Sequence, residues 1–411
     1  MDGNKLTQQS GKRKLWKIVG WGVVAFTVAA AVLLTLRLVL INDEPVITGS
    51  LIESAPVETI PVVGGELSSR ILFSGTVVTA RAVENEARMP SGEVEWAQVF
   101  SQFNTFNPEQ YDEWIIDMEC PVTTNDIPYR TQVQNTVFNC PPTVFPEMSK
   151  YFTVANIANN HTRDQGDAGF TESRESIIEG GLQSVGHWDP RESADACEVT
   201  AMTVTIDQNN DGPRKAELPV ALCAFHHFEK PPIASDFDII SEYAGIMPVI
   251  GLMQVGAEYQ ASSDARQQEV GRALIDAGAE FVVGNSPHWV QETYVYKDKL
   301  IVYSTGNFIF DQLDDETNRG LSLDVSVSGE LDQNILDWTI LAELCKPELF
   351  KDDCLTRAKT SNLQKVNLAY EFDIVGSSGG YRQLTQLASN ELQRAIEKRA
   401  DWTNTLQKLG Q

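Results

Sequence analysis

The chain is 411 residues long, with 57 acidic against 32 basic side chains and a formal charge of −25 at pH 7. That excess of negative charge argues against nucleic acid or anionic lipid as the main partner, since both are held through clustered Lys and Arg. The length is enough for one large domain with a sizeable core.

In chain order the first element is apolar. Ile18 to Leu36 forms 19 uncharged residues in succession, and about 20 are needed to cross a bilayer as a helix. Lys5, Lys12, Arg13, Lys14 and Lys17 precede it, and Asp43 and Glu44 follow. The positive-inside rule then leaves residues 1–17 in the cytoplasm and everything beyond the span outside. The expectation is a single-pass cell-membrane anchor over residues 18–41, with an extracytoplasmic C-terminal domain. A cleaved secretory signal is the alternative, but its apolar region is about 7–15 residues and ends in a small-residue cleavage site.

Residues 42–68 read as a linker, broken by Glu44-Pro45, Ala55-Pro56, Ile60-Pro61 and Gly64-Gly65. A domain is expected over 69–375. Its strand-like runs are Ile71–Phe73, Trp114–Ile116, Val154–Ile157, Val199–Ile206, Val220–Phe225, Val249–Met253, Phe281–Val283 and Leu300–Tyr303. Helical patterns fall between them at 168–182 and at 262–278, the latter after Ser262-Ser263 as a cap. Strands alternating with helices predict a layered α/β domain. Residues 376–411 read as a helical tail.

Six cysteines, Cys120, Cys140, Cys197, Cys223, Cys345 and Cys354, fit an oxidising exterior. Spacing alone does not fix their connectivity. Nearest-neighbour bridges are the simplest expectation, and no C-x-x-C pair points to zinc.

Asn159-Asn160-His161, after the apolar run Phe152–Ile157, can present a metal-ligating amide beside an imidazole acid at a strand end. His161 could equally serve a loop carbonyl, His288 a turn, and Glu119 a surface beside Cys120. Gly306-Asn307 is a turn signal, so the Asn307 side chain is expected to bond its own loop. Of His226-His227, at most one would reach a shared site, because adjacent residues of an extended chain face opposite ways. Asp207, Asn209 and Asp211, with Gly212, have calcium-loop spacing. Leu218 stands where the bidentate Glu belongs, and strand-like flanks favour a plain hairpin turn. There is no G-x-S-x-G elbow and no Walker or dinucleotide glycine pattern.

Several segments together resemble the CapA-type poly-gamma-glutamate capsule proteins. They are Gly75–Arg81, Asp117-Met118-Glu119, Asn159-Asn160-His161 with Asp164 and Gly166, Gly256–Tyr259, Gly284–His288 and Tyr303–Asp311. The resemblance implies a four-layer α/β/β/α metallophosphatase-like sandwich behind the transmembrane helix. It also implies a role in synthesis, export or anchoring of poly-gamma-glutamate or a similar anionic capsule polymer, alongside its synthesis and export machinery. In such a site His161 is the general acid. Glu119, Asn160 and His288 are ligands, and Asp117, Asn159, Asp164, Gln254, Ser286 and Asn307 line the cleft. Thr76 stands where the resemblance expects an aspartate, and Gln254 and Ser286 stand where it expects histidines, so all three depart from the family's metal-site pattern. What remains suits one divalent cation (Mg, Mn or Zn) better than two, and so implies a reduced or lost metal centre. The alternative is an active metal-dependent hydrolase of phosphoesters or gamma-glutamyl bonds.

Overall fold

In this computed structural model the described residues are 64–208, 212–346, 350–379 and 384–411. The expected cytoplasmic segment, the anchor at 18–41 and most of the linker lie outside them, as do Asn209 and Asp211 of the calcium-like loop. Among the described residues no helix is long and apolar enough to cross a membrane.

The architecture is a mixed α/β fold built on strand β1 (Gly65–Val77). The linker was expected to reach residue 68, but β1 already begins at Gly65. Its first residues are held in the sheet, with Leu67 opposite Ile206 and Gly329. The glycine pair marks the entry to a strand, and the alternation Leu67-x-x-x-Ile71 carries the buried face.

At β1 the sheet forks. Through Ser68 it pairs antiparallel with β5 (Cys197–Gln208), and from Ile71 onward it pairs parallel with β2 (Glu113–Met118). One branch continues in parallel through β3 (Val154–Asn156) and β4 (Gln183–Val185). The other runs from β5 through β6 (Gly212–His226), β7 (Val249–Gln254) and β8 (Val282–Asn285). The hairpin β9 (Thr293–Tyr296) and β10 (Lys299–Val302) closes that side. The short β11 (Asn307–Ile309) lies parallel to the end of β1. Beyond β1 the edge is antiparallel: β12 (Arg319–Glu330), β13 (Ala369–Ser378) and β14 (Gln386–Leu387).

Both faces of β1 and β2 are apolar, as parallel strands covered on each side require. Ile71, Phe73 and Ile115 join one core, while Leu72, Trp114 and Ile116 join another. The two branches face each other across a cavity of about 20 Å³, lined by Phe73, Ile115 and Asp117 from one and Leu252, Met253 and Val283 from the other. On the opposite face of β2, Trp114 packs among Phe103, Phe106, Phe152 and Phe308. Such ring pairs add about 0.5–1.5 kcal/mol each beyond burial.

Helices α1 (Arg81–Ala87), α2 (Gly166–Glu179) and α3 (Ala265–Ala277) follow strand ends. The cap of α3 is Asp264, in place of the expected serine pair. Its carboxylate accepts from Gln267 N at 2.9 Å while Gln267 Oε1 accepts from Asp264 N at 3.0 Å. Ser263 is spent instead on Glu292 at 2.6 Å. Two further helices, α4 (Gln333–Cys345) and α5 (Lys351–Thr360), precede β13. The tail forms α6 (Asn390–Arg399) and α7 (Trp402–Leu409), and its Ile396, Ala400 and Trp402 sink into the main core. The boundary expected at 375/376 falls inside β13.

The bridges are Cys120–Cys140, Cys197–Cys223 and Cys345–Cys354, the nearest-neighbour pairing. Cys197 and Cys223 sit directly opposite each other in the β5–β6 hairpin. Asp207 and Gly212 belong to the two strands of that same hairpin. Strands, not helices, therefore flank the calcium-like loop.

Candidate functional site

Parallel strands on both branches end in polar residues, and the register sets them in rows. On one branch Asn307, Thr76, Asp117 and Asn156 are neighbours across β11, β1, β2 and β3. On the other, His226, Gln254 and Asn285 are neighbours across β6, β7 and β8. The rows meet where Asn285 Nδ2 donates to Thr76 Oγ1 and, at 3.0 Å, to Asp117 Oδ2. Asn156 Nδ2 donates to the other oxygen, Asp117 Oδ1, at 3.0 Å. Asp117 is thus clasped by two amides.

Glu119 lies two residues beyond Asp117, so the strand's alternation brings both carboxyls to one side. Thr76 Oγ1 donates to Glu119 Oε2 at 3.1 Å, and His288 Nε2 stands 3.9 Å from Glu119 Oε1. Burial raises both carboxyl pKa values, and the Glu119 charge adds to the rise at Asp117. For Glu119 the result is about 7, with the charge of His161 and the Thr76 bond acting against the rise.

His161 and His288 are oriented from behind. His161 Nδ1–H donates to Asp164 Oδ2 at 2.8 Å, and its ring stacks on Phe138 at 3.9 Å. Burial disfavours its charged form, but the Asp164 bond and the charges of Glu119, Asp164 and Glu258 prevail and raise its pKa. His288 Nδ1–H donates to Asn307 Oδ1 at 2.8 Å, which turns Nε2 toward Glu119. Burial lowers the pKa of His288. Asn307 was expected to serve its own turn; it anchors His288 and also donates to Thr317 O at 3.1 Å.

The structure therefore brings Glu119, His161, His288, Asp117 and Asp164 together. Of the two amides before His161, Asn159 carries the hydrogen bonds and Asn160 is half-buried. Asn159 Oδ1 accepts from His161 N and Thr162 N, and its Nδ2 donates to Met118 O at 2.9 Å. Asn159→Ala would orphan these buried groups and is expected to cost about 2 kcal/mol in urea unfolding. An unchanged midpoint would show that the turn holds without it. Ser286 Oγ donates to Gly256 O at 3.2 Å, which occupies it in tying two loops together. Gln254 is fully buried with neither amide atom bonded, and Asn285 Oδ1 and His226 Nε2 are likewise unpartnered.

Sequence reasoning gave no site role to Asn156, nor to Arg81, Tyr259 and Asn285, which lie within the matched segments. Tyr259 stacks on His288 at 5.7 Å, and Arg81 is held by Asp311. Four residues around this centre hold left-handed backbone: Arg81 (φ 56°), Tyr259 (57°), Ser286 (115°) and His288 (59°). Such strain costs about 1–3 kcal/mol per residue and collects at functional sites. The adjacent histidines divide as alternation requires. His226 Nδ1 bonds Trp188 O at 2.7 Å on the site side, while His227 turns to Lys230 O at 3.1 Å.

A sequence model described as bacterial capsule synthesis protein PGA_cap matches residues 70–312. The chain belongs to that family. Among PGA_cap relatives, the chain is 32% identical over 170 residues to the PGA biosynthesis protein CapA of Bacillus subtilis (strain 168), covering 39% of this chain and 43% of that protein. It is 31% identical over 175 residues to the capsule biosynthesis protein CapA of Bacillus anthracis, covering 39% and 41%. The match spans less than half the length of either relative. Among solved structures, the calcineurin-like phosphoesterase YfkN of Bacillus subtilis superposes with a TM-score of 0.34 at 12% identity, covering 84% of this chain and 100% of that one. The 5'-nucleotidase of Candida albicans SC5314 gives 0.33 at 10%, covering 82% and 57%.

A two-metal centre needs a bridging carboxylate and several imidazoles converging on adjacent cations. The donors in this PGA_cap chain do not fit one. Both oxygens of Asp117 meet amide N–H groups, and Thr76 offers a hydroxyl already engaged with Glu119 and Asn285. Among the described residues no group of three or more His, Cys, Asp or Glu is placed to hold a metal ion.

Proposed function

We propose that this protein is a membrane-anchored, extracytoplasmic assembly or binding component for poly-gamma-glutamate or a similar anionic capsule polymer, working with the machinery that makes or exports it. The domain is a four-layer α/β/β/α sandwich of metallophosphatase type whose metal centre has been lost or reduced. The observation that carries this is the neutral clasp Thr76–Asn285–Asp117–Asn156, which fills with hydroxyl and amide groups the place where anionic and imidazole ligands would converge. His288 Nε2 and Glu119 Oε1 would at most share one weakly held Mg, Mn or Zn ion. Calcium at Asp207, Asn209 and Asp211 stays a separate and lesser proposal.

Elemental analysis of the full-length chain, purified in detergent without chelator, tests the reading. The expected result is well below one Mn, Mg or Zn per chain, unchanged in His288→Ala. A near-stoichiometric ion that disappears in that variant overturns it.

A second reading, an active surface hydrolase, draws on one observation: Glu119 and His161 both have raised pKa values and sense each other's charge. His161 would then give its proton to the leaving group. Hydrolysis of a phosphodiester or gamma-glutamyl oligomer by the full-length chain, abolished in His161→Ala, would establish it. No turnover above the His161→Ala level, with or without added Mn²⁺, would remove it.

A further inference from the structure

The centre contains carboxyls, imidazoles and amides, and among the described residues a fixed positive charge reaches it from Arg81. The guanidinium of Arg81 acts on both His288 and Tyr259. Its Nε and Nη2 edge is clamped by Asp311 at 2.9 and 2.6 Å. Its plane lies against Phe138 at 4.8 Å and Phe310 at 5.6 Å. Each ring in turn touches an imidazole: Phe138 stacks on His161 at 3.9 Å, and Phe310 meets His288 at 5.1 Å. Arg81 is therefore set one aromatic ring away from each histidine, with only 17% of its side chain exposed. Holding it there requires the left-handed backbone noted above. Asp311 engages the Nε and Nη2 edge of the fork, and among the described residues no hydrogen bond is made by Nη1. A guanidinium pre-ordered in this way loses little entropy on meeting a second oxyanion.

Outward from Arg81 runs a groove. It consists of two adjoining hollows of about 240 and 320 Å³ that share Glu84, Asp126, Ile127 and Gln132. Arg81, Asn85 and Arg88 line the first hollow at i, i+4 and i+7 of α1, which is one helix face. Arg81 opens α1 and Arg88 is the extended residue that caps its other end, which puts the two guanidinium-bearing positions roughly 10 Å apart along the helix. Arg88 is half-exposed, and among the described residues its guanidinium is tied to Glu84 one turn back and to Gly92 O, a pairing weak enough for a ligand to compete with. Glu84 and Asp126 stand in the same wall. An anion in this groove would therefore be drawn to the guanidinium groups and kept off the two carboxylates.

We propose that Arg81 is the anion anchor of this cleft and that the groove along α1 receives an extended chain bearing carboxylates at regular intervals. One carboxylate sits on Arg81 Nη1 and a further one sits near Arg88. This rests on the polymer-handling reading above, and it names the residues that would recognise the polymer.

The test is fluorescence anisotropy of a fluorescein-labelled gamma-linked glutamate oligomer with the full-length chain in detergent micelles. Arg81→Gln is expected to weaken binding by at least about tenfold, the value of one charge-assisted contact. Arg81→Lys should do nearly the same, because an ammonium cannot clamp Asp311 and present a second donor edge. Asn85→Trp fills the groove from an exposed helix position and should also weaken binding, with an unchanged melting temperature. If Arg81→Gln does not fold, the other two variants decide. Binding by Arg81→Lys and Asn85→Trp equal to that of the unsubstituted chain overturns the groove and leaves the polymer reading intact. No binding by the unsubstituted chain overturns both. Displacement by inorganic phosphate at lower concentration than by glutarate would assign the anchor to phosphate and sink the carboxylate assignment.

Discussion

Thr76→Asp, the substitution that restores the family's carboxylate, is expected to lower stability at pH 8 by roughly 3–5 kcal/mol. Thr76 is fully buried, donates to Glu119 and accepts from Asn285. An aspartate there exchanges a donor for a third buried carboxyl beside Glu119 and Asp117, whose own pKa values burial already raises. Two charges at about 4 Å repel by about 4 kcal/mol at an effective dielectric of 20, and among the described residues no Lys or Arg is hydrogen-bonded to Glu119 or Asp117. The penalty should shrink toward pH 5, where the carboxyls take up protons. Combining the change with Gln254→His and Ser286→His should make the loss reversible by Mn²⁺, since a ligand bound only by the folded state stabilises it by mass action. Thermal unfolding with and without the ion reads both effects. A single variant as stable as the natural chain at pH 8 would mean that the clasp is not what keeps this site neutral.

Much of this arrangement was legible from residues, and the parts that were not share a cause. Apolar runs such as Trp114–Ile116 and Val249–Met253 locate strands because both sheet faces must be covered. The bridges followed from cysteine order, since Cys197 and Cys223 flank one hairpin. Glu119, His161 and His288 came from the family resemblance, and the structure does bring them together. The residues that make the site unusual, Asn156 and Asn285, were missed because their role depends on register. Asn156 matters only because it lies beside Asp117, and Asn285 only because its branch folds over onto Thr76. A sequence shows that a strand ends in an amide but not which carboxyl that amide will face. The strands β12 and β13 were passed over for a related reason. Polar residues alternate along them, as at Ser322, Asp324, Ser326 and Ser328, and that thins the apolar signal near the antiparallel edge.

Glu119→Gln is expected to stabilise the protein at pH 8 by about 3 kcal/mol and to leave it unchanged at pH 4. Burial raises the Glu119 carboxyl from 4.5 to about 7. A group whose folded-state pKa lies above its unfolded value contributes its full stability below the unfolded pKa, and that contribution is lost as pH rises through the folded one. The loss therefore runs from about pH 4.5 to beyond 7, and glutamine, which mimics the protonated acid, escapes it. Other groups facing Glu119 shape the middle of the curve. The raised His161 pKa has the same sign, since its charged form attracts Glu119 and that attraction fades above its own pKa. The lowered His288 pKa has the opposite sign and costs stability below its unfolded value of 6.5. Asp117, Asp164 and Glu258 add repulsion that grows with pH. As the imidazoles lose their protons, the buried charge of Glu119 stands against these acids with Thr76 donating to it. Urea unfolding of both chains across this range measures the difference. If a divalent cation were held by Glu119 and His288, the carboxylate would be the favoured form, and the order at pH 8 would reverse, with the glutamine variant the weaker protein.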